Sequence, residues 1–173
     1  TSAPFSSGTH NVALGYQALK GFTSGNDNVA IGSAAGDAIT SGYRNVTIGR
    51  YAGSAINTGV SNIILGYAAG DAITDTTNTV LIGEDAGGAI NSTDANGTVA
   101  IGYQALTALT SGTTNTAIGY QALSTEDTGD FNTAIGYQAL ATQNRDGTVG
   151  NTAVGYKAGY AVTTAYSATI MGI

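Results

Sequence analysis

Asn115-Thr-Ala-Ile-Gly-Tyr-Gln-Ala-Leu123 recurs as Asn132-Thr-Ala-Ile-Gly-Tyr-Gln-Ala-Leu140, and nearly unchanged as Asn11-Val-Ala-Leu-Gly-Tyr-Gln-Ala-Leu19. Aligning every apolar-Gly pair of this type gives anchors at Gly15, Gly32, Gly49, Gly66, Gly83, Gly102, Gly119, Gly136, Gly155 and Gly172. Successive anchors are 17 residues apart, except for two steps of 19 (83 to 102 and 136 to 155). The residue before each anchor is always apolar, from Leu14 and Ile31 to Val154 and Met171. The third residue after it is alanine in every complete unit, from Ala18 and Ala35 to Ala139 and Ala158. Helical-hairpin repeats and propeller blades need roughly 30 residues or more, so a period this short fits one turn of a β-solenoid.

Within a unit such as Asn28-Val-Ala-Ile-Gly32 the columns alternate: β-branched, small, large aliphatic. That is the period-two order of a strand. A second short apolar segment follows, as in Ala38-Ile39, Ala55-Ile56 and Ala72-Ile73, which predicts two strands and two turns per coil. The fold expected is all-β: a parallel β-solenoid, or β-roll, of about nine to ten coils of 17–19 residues. It occupies 11–173 as a single domain, after an N-terminal cap or linker segment over 1–10.

Glycine at the anchor suits a corner by taking positive φ or by letting the next coil's backbone approach closely. Asparagine stands four residues before the anchor in seven units, Asn11, Asn28, Asn45, Asn62, Asn115, Asn132 and Asn151. There it can form a hydrogen-bonded ladder or take up a left-handed corner. Units divide between those with leucine four after the anchor (Leu19, Leu106, Leu123, Leu140) and those with glycine there and an aliphatic three residues later. In the leucine units the later position holds Phe22, Leu109, Glu126 or Gln143, two ways of filling one layer, the second leaving more polar surface. The extra residues of the 19-residue steps fall around 91–97 and 142–150 and are expected in side loops.

The composition fits this reading and excludes others. Of 173 residues 26 are glycine and only 9% are charged, with net charge -6 and no cysteine. Five scattered basic residues offer no stripe for nucleic acid, no apolar run reaches a membrane span, and disulfide, thiolate and cysteine-zinc chemistry is removed. Catalysis fares no better: His10 is the single histidine. The acidic stretch Glu126, Asp127, Asp130 is the best candidate for paired carboxylates and reads as a solvated loop. Asp37 and Asp71 share a column two coils apart without a calcium-binding signature. The chain is expected not to be an enzyme and to carry no metal or cofactor. Tyr16, Tyr67, Tyr103, Tyr120, Tyr137 and Tyr156 form a broken column suited to ring stacking or to binding a glycan. The least repetitive side chains, Asn91, Phe131, Asn144 and Arg145, are the candidate surface contacts.

These units resemble the NTAIGYQAL repeats of bacteriophage tail fibres and related surface proteins, and the NVAIG core is similar to head repeats of the YadA-like trimeric adhesins. The resemblance runs from Asn11 onward and implies left-handed parallel β-rolls assembled as homotrimers, although the units here are longer than those of the adhesin heads. It implies an extracellular location, on a virion tail or a cell surface, with side loops touching a host-surface glycan or protein. Few large apolar side chains per coil, and strict columns of small residues that let chains approach, also predict lateral association, most readily as a trimer. Other readings are a self-assembling filament and an ice-binding solenoid, the latter weakened because the threonine column (Thr116, Thr133, Thr152, Thr169) gives way to valine and isoleucine in earlier units.

Overall fold

The computed structural model describes residues 7–172; of the segment expected as a cap, residues 1–6 lie outside the described residues. In chain order the strands are β1 Val12–Leu14, β2 Val29–Ile31, β3 Val46–Ile48, β4 Ile63–Leu65, β5 Val80–Ile82, β6 Val99–Ile101, β7 Thr116–Ile118, β8 Gly129–Asp130, β9 Thr133–Ile135, β10 Gly147–Thr148, β11 Thr152–Val154 and β12 Thr169–Met171. Ten of them form one parallel sheet in the order β1-β2-β3-β4-β5-β6-β7-β9-β11-β12. Register follows the repeat, Val12 opposite Val29 and Ile31 opposite Ile48, and holds across the long step, where Val80 faces Val99. The chain is thus an all-β parallel solenoid of about nine turns. At the usual strand spacing its ladder is roughly 43 Å long.

The expected second strand is absent. Ala38-Ile39 and its equivalents lie in a run of turns, where Ile39 N–H donates to Gly36 O at 3.1 Å, a local bond three residues back. Left-handed residues bend this stretch at two fixed positions per coil, for example Ala34 (φ 56) with Gly36 (φ 52), and Gln121 with Leu123 (both φ 50). The remaining pairing lies elsewhere, in single bridges Tyr43–Val60 and Val60–Thr77 and in the short pair β8–β10.

The side chains that point inward also differ from a simple reading by size. Eight strands of the ten-stranded sheet bury their middle residue (Ala30, Thr47, Ile64, Leu81, Ala100, Ala117, Ala134, Ala153) and turn the two flanking residues, aliphatic or threonine, outward; in the end strands Ala13 is exposed and Ile170 half-buried. The core is completed by the alanine column and by the aliphatics of the turn region, Ile39, Ile56, Ile73, Ile90 and Leu109. Small residues in strict columns therefore pack inside one roll and do not lie on its surface. In two of the glycine units a large strand residue takes up the space, whereas those with Gly36, Gly53 and Gly159 have Ala30, Thr47 and Ala153 at that position. Where the position four after the anchor is Gly70 or Gly87, the middle strand residue is Ile64 or Leu81; where it is Leu106 or Leu123, the middle residue is Ala100 or Ala117.

The anchor column meets both reasons for glycine at once. Gly66 has φ +139, and a Cβ there would sit 2.4 Å from Gly83 O; the other anchors from Gly15 to Gly136 are alike. Rungs approach too closely here for any side chain. The asparagine ladder forms as well: Asn45 N–H and Nδ2 donate to Asn28 Oδ1 at 3.0 and 3.1 Å, and Nδ2 also donates to Gly59 O at 2.8 Å. The left-handed residue is the one before the asparagine, such as Asp27 or Arg44. Threonine at positions 79 and 98 divides the ladder in two, Asn11 to Asn62 and Asn115 to Asn151.

Candidate functional site

Three features of the roll could act on something outside it or inside it: the outer face of the sheet, the side built from the long connections, and a polar cluster in the core.

On the outer face, β-branched and aliphatic side chains flank the inward-pointing residues and leave one apolar column from Leu14 to Met171 and a second that is aliphatic from Val12 to Val99 and threonine from Thr116 onward. Ile63 is 43% and Ile135 37% exposed, while the other mid-rod members, such as Ile48, Ile82 and Ile118, are half-buried. Beside them Tyr103, Tyr120, Tyr137 and Tyr156 stack with ring centroids 5.1, 5.1 and 5.3 Å apart and interplanar angles of 8–15°. A parallel amide ladder adjoins it, Gln138 Nε2 donating to Gln121 Oε1 at 2.9 Å and Gln121 Nε2 to Gln104 Oε1 at 3.0 Å. Stacked rings give their faces to one another and show only edges and hydroxyls outward. The top of the column is met by Lys157 Nζ, 5.6 Å from the Tyr156 centroid. A sugar ring packing on an aromatic face has no open face within this stack.

The candidate contact residues share one flank. Asn91 begins the first long connection, where Ser92 caps a 3-10 turn over Thr93–Ala95. Asn144 and Arg145 begin the second, whose β10 pairs with β8. Three rungs separate these connections, roughly 14 Å. Arg145 is committed locally, its Nη1 donating to Thr164 O at 2.8 Å with the guanidinium 5.5 Å from the Tyr166 ring centroid. Phe131, left-handed and half exposed, follows β8. Between the connections lies a depression of about 480 Å³ lined by Thr93, Asp94, Asn96, Ser111, Thr113, Thr128 and Asp130. Sequence reasoning did not single it out, because its floor comes from ordinary turns of adjacent coils.

The acidic stretch is divided between the core, which takes Glu126, and the surface depression, which takes Asp130. Glu126 is fully buried, contrary to the expectation of a solvated loop, because it stands in the column that holds isoleucine in other units. Its Oε1 accepts Gly129 N–H at 2.7 Å and its Oε2 accepts Gln143 Nε2 at 2.9 Å. Asp130 instead faces the depression, with Oδ1 accepting Thr113 N–H at 2.9 Å. His10 is exposed, its Nδ1 3.4 Å from Asp27 Oδ1. Among the described residues no group of three or more His, Asp or Glu side chains could hold a metal ion, and no helix is long and apolar enough to cross a membrane. Burial pushes the Asp37 and Asp71 carboxyls up; hydrogen bonding to their own backbone opposes this in both.

Together these features define a parallel β-solenoid repeat protein with one apolar face and one decorated flank. The chain matches no family model, no curated protein and no solved structure.

Proposed function

We propose that the chain is a structural and adhesive segment of an extracellular homotrimeric fibre, carried on a virion tail or a cell surface. The observation that supports this reading is the outer sheet face, where the column from Leu14 to Met171 is apolar on every rung and the column from Val12 is aliphatic as far as Val99 and threonine beyond it, beside a stacked tyrosine column. An exposed apolar stripe of this kind is typical of an interaction surface, and the occupant proposed is an identical chain. An identical chain aligned in register alongside would meet like with like on each rung. The roll then supplies stiffness through its ladder, and the flank with the long connections stays outward, free to touch a host-surface glycan or protein.

The threonine positions on the same face number four of ten rungs and sit next to aliphatics, which leaves the flat, uniformly hydroxylated surface of an ice binder unmade. The experiment is to place lysine at two outward positions, Ile82→Lys and Ile118→Lys, and to compare sedimentation with the unaltered chain. The proposal expects oligomer to give way to single chains with the β circular-dichroism spectrum retained. Unaltered assembly in the lysine variant would remove the face from the account.

A further inference from the structure

The depression between the two long connections has a definite chemistry. Its side chains are hydroxyls (Thr93, Ser111, Thr113, Thr128), one amide (Asn96) and two carboxylates (Asp94, Asp130), with no basic group. Several of these polar groups are already engaged. Thr128 Oγ1 donates to Asp146 Oδ1 at 2.6 Å, Asn96 Oδ1 accepts Thr77 N–H at 2.6 Å, and Asp130 Oδ1 holds Thr113 N–H. The Asp94 carboxylate, Asp130 Oδ2 and the Thr93 and Ser111 hydroxyls have no hydrogen-bond partner among the described residues. The groove therefore presents two carboxylates, Asp130 held through its other oxygen and Asp94 exposed, beside hydroxyls that can donate or accept.

Its volume falls within the roughly 300–1,000 Å³ of small-molecule sites. Two carboxylates without a cation repel an anionic ligand, and too few ligating groups converge for a metal ion. What remains complementary is a neutral polyol, because adjacent hydroxyls can each donate to a carboxylate oxygen in charge-assisted bonds.

We infer that this groove is a binding site for a neutral saccharide, with Asp94 and Asp130 as the principal acceptors. The inference rests on the adhesive part of the proposed function and is independent of the oligomer. Saturation-transfer NMR on the full chain tests it with D-glucose, D-galactose, D-mannose and N-acetyl-D-glucosamine, with D-galacturonate as the anionic comparison and excess EDTA in a parallel set. The expected result is transfer to at least one neutral sugar, unchanged by EDTA, with none to galacturonate. Asp94→Asn should weaken binding about tenfold, as loss of a charge-assisted bond does. Ser111→Trp, which fills the floor, should abolish it, while the circular-dichroism spectrum of both variants stays that of the parent. No transfer to any neutral sugar, binding that needs a metal ion, preference for galacturonate, or binding indifferent to both variants would each overturn the inference. A chain that forms trimers but binds no sugar leaves the fibre standing and removes the groove; a monomeric chain that binds sugar does the reverse.

Discussion

Gln143 Nε2 donates to Glu126 Oε2 at 2.9 Å inside the roll, one coil above the carboxylate it satisfies. The same nitrogen reaches Asn132 Oδ1 at 3.0 Å, and Gln143 Oε1 accepts Asn151 Nδ2 at 2.8 Å, so the upper asparagine ladder is tied to a buried polar pair. Asn132 Nδ2 is left without a partner; the carbonyl that its equivalents use would fall in the second long connection.

A buried acceptor that loses its donor is expensive, whereas removing both partners is much less so. Gln143→Leu should destabilise the fold by about 3 kcal/mol, since it orphans a buried carboxylate oxygen. The double variant Glu126→Leu/Gln143→Leu should be more stable than that single variant, because it restores the aliphatic column of the other coils. Urea unfolding of the two singles and the double measures this coupling directly.

The anchor glycines separate two effects of side-chain addition. Gly66→Ala combines positive φ with a Cβ 2.4 Å from a backbone oxygen of the next rung, and should cost upward of about 4 kcal/mol or prevent folding. Gly147→Ala shares positive φ but meets nothing within 4 Å, and should cost only the roughly 1–2 kcal/mol of a left-handed alanine. Thermal unfolding of the pair distinguishes a steric corner from a merely conformational one.

Leu123 stands at φ 50 and is fully buried. Leu123→Gly relieves backbone strain of about 1–2 kcal/mol but opens a cavity that costs about 3–5. The expected outcome is a net loss of about 2–3 kcal/mol, read as a lower urea midpoint. A gain in stability would mean that the layer collapses onto the neighbouring alanines.

Asp71 is pushed above the usual carboxylate range by burial; its own backbone hydrogen bond opposes this, and the nearby Asp85 carboxylate adds to it. A carboxyl raised in the folded state contributes stability that is fully present below its unfolded pKa and is lost as pH rises through the folded value. Between about pH 4 and about pH 7 the melting temperature should therefore fall less in Asp71→Asn than in the parent, with the variant more stable at neutral pH.

Much of this architecture was legible because each column repeats. The strands, their parallel register and the corner glycines all follow from the anchor spacing. What period two does not determine is its own sense, since shifting by one residue exchanges core and surface. Ile31 and its equivalents look like core by size, yet the narrow roll takes in the middle residue, alanine in most units. The turn run through Ala38-Ile39 reads as strand because its local bonds depend on left-handed residues such as Ala34, whose identity carries no such signal. Glu126 was recoverable from its column, which holds isoleucine elsewhere, but its local neighbours Asp127 and Asp130 spoke for a loop. The groove had no motif at all, being assembled from turns that are unremarkable singly.

The outer face carries the central claim, and native mass spectrometry of the unaltered chain at micromolar concentration tests it most directly. The account predicts a species of three chains; a stable single chain, with its apolar face left open to water, would contradict it.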